Sequence, residues 1–599
     1  MLDEAGIIVV DIETYDPDLE SMGPGTFRRD CQILGVAVVS DTGYRRYFNL
    51  GHKGILQNEK HKSRAELQEI LTNKVPKLGH NFLYDLDLLV LFDGYTVNGK
   101  YEDTQVRESL IDAYANHYDL DTLSLKYGGT GKRLTQVEAI CGRNGWAKPY
   151  QKHLYKMTAA EVEDYALGDA DETLKIYLRQ QETLEAEGLL SLYDMEIRLM
   201  PCLLQMRKQG VRIDRAKRQL VSDQLHQKYD ETMGAFSKRY GKININSGND
   251  LTYVFKKEGV PLTLTDQNNP SFAHDVLVGI DHPIARDILE IRGLKTVLNN
   301  YVDGAFVDFD VNGRIHCSFY PVVRDDGGTV TGRFSCKNPN LQQVPSKDEK
   351  NGPLIREIFV AEEGCDFLKS DYSQIEYRIL VHYATGPGAV EVKNRFINDP
   401  TTDYHQFVCD ITGLGRKYAK NLNFGTVYCM GVPTMSKKFG WTMEHAKEVS
   451  DQYFDAMPFV KPTRNFIMDV AKQRGYVRTV LNRRARLSDD MRSGVGKRGK
   501  EYKLVNYLIQ GSAADIMKAG MVAGYEAGLF DVIPIHLTVH DELSNSVPRT
   551  RLAYEAAVEL KYIMEHTVEL SIPLLAKCEL GPSWGQGEEV NFDELARAI

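Results

Sequence analysis

DYSQIEYR, residues Asp371 to Arg378, follows an apolar approach through Phe367 and Leu368, and the rest of the chain is read from it. An apolar run that ends in an acid, with Ser373 next and Glu376 three residues later, predicts a strand that stops and a helix that starts on a capping box. Asp371 then stands exposed at the junction. A carboxylate there suits a hard divalent cation, because Mg²⁺ takes few protein oxygens and keeps its other positions for water and phosphate. Most acids at strand ends are simply solvated, so the reading needs a second acid.

HLTVHDELSNSV, residues 536–547, reads as two short alternating strands around His540, Asp541 and Glu542. A tight hairpin with acids at its tip can lay a carboxylate beside Asp371. Such a pair can hold two metal ions roughly 3.5 to 4 Å apart, one activating an attacking oxygen and one stabilising a leaving oxygen. Between the acids lies RKYAKNLNFGTVY, from Arg416. As a helix it puts Arg416, Lys420, Phe424 and Tyr428 at four-residue steps along one face, two cations followed by two aromatics. That order suits a nucleoside triphosphate, and it equally suits an amphipathic surface helix with its rings in the core.

DYSQIE, RxxxKxxxFGxxY and VHDE, in this order, resemble the three polymerase motifs of the family A DNA polymerases. TGRFS (Thr331 to Ser335), NPNLQQVP (Asn338 to Pro345) and QGSAADI (Gln510 to Ile516) are similar to further pieces of the family, and with the N-terminal motifs below the likeness spans nearly the whole chain. The resemblance implies a right-hand domain over 189–599: a thumb at about 189–312, a palm at about 313–400 and 525–599, and fingers at about 401–524. It implies catalysis by Asp371, Asp541, Glu542 and Lys420, with the Tyr372 carbonyl as a further metal oxygen. Gln374, Glu376, His405, Arg416, Lys420, Phe424 and Tyr428 would bind the dNTP, and Arg333, Gln510, His540, Arg483 and Arg484 the DNA. Phe424 stands where dideoxy-tolerant relatives have tyrosine, which implies discrimination against dideoxynucleotides. Cys429 replaces a usual glycine, Tyr502 a common arginine, and the lead Asp410 to Gly415 is short.

Toward the N-terminus, Ile7 to Val10 read as a buried strand ending in Asp11 and Glu13, whose alternation points both carboxylates to one side. GHNFLYDLDLL supplies Asp85 at a helix start, and YALGDADETLKIY puts Tyr165 and Asp169 on one helical face. Four acids from three elements can form a two-metal hydrolytic site. DIET, HNxxxD and YxxxD resemble the motifs of DEDDy-type 3′ to 5′ exonucleases. The likeness implies a ribonuclease H-like proofreading domain over 1–188, with metals on Asp11, Glu13, Asp85 and Asp169 and with Tyr165 orienting the attacking water. Phe82 and Leu83 are expected to pack on an unpaired 3′ base.

The fold class expected is thus multidomain, α/β and α+β. At 599 residues and 42% hydrophobic the chain can pack about four domain-sized units. No apolar run reaches membrane-spanning length and no secretory signal opens the chain, so a cytoplasmic location is expected, that of the host if phage-encoded. Nine scattered cysteines without a CxxC pair indicate neither disulfides nor structural zinc. A net charge of −10 argues against indiscriminate coating of nucleic acid, yet Lys472 to Lys503 is dense in cations, among them Lys497 and Arg498, and reads as a phosphate-backbone track. Arg292 and Lys295 are candidate phosphate contacts in the thumb. The expectation is a monomeric, phage-type, template-directed DNA polymerase with proofreading. It would use two Mg²⁺, or Mn²⁺, per site and act on primer-template DNA and dNTPs, with a helicase, primase or single-stranded-DNA-binding protein as further partners. A bacterial repair polymerase, a single-subunit RNA polymerase and a silent DNA-binding scaffold are the alternatives.

Overall fold

A computed structural model of the chain describes residues 2–131, 134–265, 267–324, 328–345, 351–492 and 499–592. Lys497 and Arg498, and the start of the glycine-rich loop at Asp325, lie outside them.

The Ile8–Tyr15 strand is the hub of a five-stranded sheet. It pairs antiparallel with Gln32–Ser40, which pairs with Arg45–Asn49, and parallel with Lys77–Gly79, which pairs with Tyr101–Asp103. Both faces are covered, which explains the unbroken apolar run. Ile8, Val10 and Ile12 enter one core and Ile7 and Val9 the other. Asp11 and Glu13 share the parity of Ile7 and Val9, and that face is packed by Val162, Tyr165 and Ala166 of the Ala159–Glu187 helix. Strand alternation alone therefore turns both acids toward the helix that carries Tyr165 and Asp169. The strand runs on through both acids rather than stopping before them, with a register shift just after Glu13. The helix opens on a Thr158/Glu161 capping box and closes on Gly188 at φ 64, the left-handed cap that glycine suits.

A second, nine-stranded sheet runs Ile535–Val539, Glu542–Pro548, Cys365–Tyr372, Ala576–Ser583, Phe359–Val360, Val211–Ile213, Arg314–Ile315, Asp310–Val311, with Gln586–Glu589 paired on Ala576–Ser583. The Lys503–Glu526 helix packs against the Leu190–Gln209, Ile375–His382 and Arg551–His566 helices. A separate helical core gathers Phe236, Leu251, Phe255, Ile284, Ile288 and Ile291. Leu190–Gln209 and Val211–Ile213 join the large sheet's core, and the separate helical core begins within Arg215–Tyr240, whose Val221 and Leu225 face the large core and whose Phe236 and Tyr240 face the helical one. Among the described residues no helix is long and apolar enough to cross a membrane, and the nine cysteines are free thiols.

Two candidate active sites

Asp371 is the penultimate residue of its strand, directly opposite Glu542 on one side and Lys577 on the other. Asp541 lies in the two-residue link of the adjoining hairpin, where its carbonyl accepts from the Tyr372 N–H at 3.1 Å. The tightness of that link falls on His540, held at φ 59; hairpin turns of two residues call for such left-handed backbone, at about 1–2 kcal/mol for a residue with a side chain. The backbone thus sets three acids at adjacent strand ends. Partial desolvation, then the charges of Asp541 and Glu542, push the Asp371 carboxyl up to about 7, against the opposing pull of Lys420. Burial, with Glu376 nearby, pushes Asp541 up to about 6 although Arg333 pulls the other way. Glu542 is raised chiefly by burial, and its Oε1 accepts from Ser544 Oγ and Trp584 Nε1, both at 2.8 Å.

Among the described residues no three such groups already converge on one point in ligating geometry. Arg333 Nη2 stands 3.7 Å from Asp541 Oδ1. Oxygen donors of this kind, held ready to lose protons near neutrality, fit a hard divalent ion.

The Arg416–Val427 helix presents Arg416 and Lys420 to solvent, with Arg416 paired to Asp403. Phe424 lies against the His405 ring at 5.8 Å. His405 is buried and accepts at Nδ1 from Asn423 at 2.9 Å, and burial with Lys420 beside it drives its pKa down to about 4. Both favour the neutral ring, in which Nδ1 accepts and Nε2 carries the proton. Tyr428 caps the helix and donates its hydroxyl to Glu376 Oε2, while Gln510 also bonds that hydroxyl. Glu376 Oε1 accepts from Arg333 Nη2 at 2.6 Å. Arg333, Glu376, Tyr428 and Gln510 thereby form one cluster beside Asp541. Cys429, in the usual glycine's place, adopts φ 64.

The expected Ser373/Glu376 capping box is absent, because Glu376 is turned to Arg333 and Tyr428 and the Ser373 hydroxyl is buried without a partner. The helix instead begins after Gln374, at φ 54, whose side chain reaches the Thr402 carbonyl at 3.2 Å and the Tyr404 N–H at 3.0 Å.

Two expected DNA contacts have other employment. Arg483 is buried, with Nε on Asp515 at 2.8 Å and Nη2 on Glu196, which Lys518 also meets at 2.7 Å. Arg484 and Arg486 grip Glu187, and Arg486 also reaches the Ile111 carbonyl at 2.9 Å. The Arg483 guanidinium is thus buried between Glu196 and Asp515, away from any phosphate at the surface. Arg292, similarly, is spent on the carbonyls of Phe272 and Ile245, at 2.7 and 2.6 Å. The supporting Trp584 and Asp515 were missed; a lone acid in the apolar QGSAADI helix was the available sign that a buried cation must face it.

In the N-terminal unit, Asp85 lies in the first turn of the short Phe82–Leu86 helix, after the Asn81 cap, and accepts from the Ile12 N–H at 3.0 Å. Burial, then Asp11, holds its carboxyl well above the usual range. Tyr165 hydrogen-bonds Asp169 one turn on, and burial with Glu13, Asp169 and Asp11 around it keeps the phenol protonated. Asp11, Asp85 and Asp169 line one cavity of about 390 Å³, and Glu13 and Tyr165 line an adjoining cleft of about 980 Å³. Leu83 lines that cleft, but Phe82 is fully buried edge-on to Tyr101 and cannot stack on a base as it stands.

Comparison with known proteins agrees with this geometry. The model of DNA polymerase family A matches residues 215–586. A DNA-directed DNA polymerase of Pseudomonas phage M6 is 31% identical, over 96% of this chain and 94% of its own. DNA polymerase I of Pseudomonas aeruginosa is 29% identical over 98% of this chain and 64% of its own. The fold superposes on the POL domain of Pol1 from M. smegmatis in complex with DNA primer-template and dNTP, at TM-score 0.80 and 24% identity, over 97% of this chain and 96% of that one. With the acids of DYSQIE and VHDE brought together, the cation helix beside them and a family match over most of its length, the chain belongs to DNA polymerase family A, the DNA-directed DNA polymerases.

Proposed function

We propose that the chain extends a primer 3′ end on a DNA template at Asp371 and Asp541, and trims that end at Asp11, Glu13, Asp85 and Asp169. The observation that carries the first activity is the meeting of Asp371, Asp541 and Glu542 at neighbouring strand ends, with carboxyls poised near neutrality. Two divalent cations, Mg²⁺ or Mn²⁺, on Asp371, the Tyr372 carbonyl and Asp541 would offset charge on the attacking and leaving oxygens. Arg416 and Lys420 bind the triphosphate, and Lys420 Nζ passes a proton to the departing pyrophosphate. His405 donates Nε2–H to a phosphate oxygen. Glu376, held against Tyr428, crowds the sugar 2′ position and excludes ribonucleotides. Arg333 and Gln510 donate to minor-groove acceptors, which stand alike in every correct pair and so report geometry without sequence.

In this reading the large sheet is the palm, the helices from Tyr404 to Arg474 the fingers, and the lobe from Arg215 the thumb. The nuclease reading is supported by the parity that turns Asp11 and Glu13 toward Tyr165 and Asp169. Tyr165 orients the attacking water there. A phage replicative role is supported by the near full-length match to the phage M6 enzyme.

Primer extension on a primed single strand tests both activities: growth with dNTPs, shortening without them, and no growth with NTPs. Asp541→Ala should end growth and spare shortening, and Asp11→Ala with Glu13→Ala the reverse. Growth by Asp541→Ala would sink the assignment.

A further inference from the structure

Arg324 is the point at which the polymerase half of the chain reaches into the N-terminal acid site. It follows the Ser318–Tyr320 strand, yet it lines the cavity formed by Asp11, Asp85 and Asp169 and also the cleft that holds Glu13 and Tyr165. Its guanidinium centre lies 3.9 Å from the Tyr320 ring centroid, a stack that fixes the plane of the fork. The backbone behind it is tight: Gly328, at φ 127, is so close that a Cβ would come 2.8 Å from Val323 Cα.

A cation among carboxylates is ordinarily a structural partner. Here the charge balance differs, since two divalent ions on the four acids would offset their charge and leave the guanidinium's attraction for a further anion in the same cavity. The remaining anion in such a site is the substrate's phosphodiester, which a planar fork can hold through two parallel hydrogen bonds. We propose that Arg324 contacts the phosphodiester at the 3′ end of single-stranded DNA in the nuclease site, a binding group supplied to that site by the polymerase half. The proposal rests on the nuclease reading above.

The test is single-turnover trimming of a single-stranded oligonucleotide by wild type, Arg324→Ala and Arg324→Lys. Primer extension, thermal melting and the salt dependence of oligonucleotide binding are measured alongside. Arg324→Ala should trim roughly ten- to a hundredfold more slowly, the scale of a lost hydrogen bond to a charged group. Its binding should lose about 0.7 of salt slope, one phosphate contact on a single strand. Primer extension and melting should not change, and Arg324→Lys should recover part of the rate. Wild-type trimming by Arg324→Ala overturns the proposal alone, as does a fall in trimming accompanied by an unchanged salt slope and a lower melting temperature. Absence of trimming by the wild type overturns the nuclease reading and this proposal together.

Discussion

Asp371 and Glu542 are direct antiparallel partners on neighbouring strands, with Asp541 one residue from the pair. Like charges set opposite each other weaken a strand pair. The fold tolerates that weakness at the strand ends, where a cation can enter, and nowhere else along Cys365–Tyr372, whose Lys369 faces Glu579 instead. The juxtaposition costs stability at that point.

A pH dependence follows. The carboxyls of Asp371 and Asp541 are pushed up to about 7 and about 6 by desolvation and neighbouring acids. A carboxyl whose pKa is higher folded than unfolded binds more protons in the folded state. Its stabilisation is complete below the ordinary value of about 4 and is lost as pH rises through the folded value. Asp371 keeps a solvent-exposed face, so screening softens the effect. Without divalent cation, the melting temperature should fall between pH 5 and 7.5, and Asp371→Asn should flatten the fall. Millimolar Mg²⁺ should raise it at pH 7.5 far more than at pH 5. A flat wild-type profile would show that these acids do not feel one another.

Trp584 donates to Glu542 from a buried position against Phe359 and Arg356. Hydrogen-bond donors to the acids around a metal site typically matter by about 10- to 100-fold. Trp584→Phe keeps most of the packing and loses the donor, so primer extension should need more Mg²⁺ and run roughly tenfold slower. Metal titration of extension reads both, and trimming serves as the internal control.

Phe424 lies on the helix face below Lys420, against the neutral His405 ring. A hydroxyl added there by Phe424→Tyr can stand in for a missing sugar 3′ hydroxyl, so dideoxynucleotide incorporation should rise by an order of magnitude or more relative to dNTP, roughly a net hydrogen bond. Competition of ddNTP against dNTP on one template measures it. An unchanged ratio would place Phe424 away from the sugar.

What could be read in advance was local. Alternation turns Asp11 and Glu13 to one side, and a strand end presents Asp371, whatever the rest of the chain does. What escaped was long-range or in competition with a local rule. A run of arginines states charge but not partner, and Arg483 meets Glu196 across 287 positions of sequence. Ser373 and Glu376 had the spacing of a capping box, but Glu376 had two stronger claimants in Arg333 and Tyr428, and Gln374 took the left-handed turn instead. Phe82 reads as a stacking surface only until its helix is packed, when it becomes core.

The arginines of the Tyr476–Arg478 and Arg484–Arg486 hairpin give the last prediction. Arg484 and Arg486 hold Glu187, Asn482 donates to the Gly188 carbonyl at 2.5 Å, and together they clasp the C-terminal end of the helix that carries Tyr165 and Asp169. Cations at that end also meet the negative pole of the helix. Arg484 thus fastens the N-terminal unit to the rest of the chain. Arg484→Ala should lower stability by about 1.5–3 kcal/mol, the scale of a hydrogen bond to a charged group, and raise hydrogen exchange near Glu187. The salt slope of duplex DNA binding should stay unchanged. A residue that touched the phosphates would take about 0.9 from that slope when removed, so a fall of that size would return Arg484 to the DNA interface and leave the two units joined by other means.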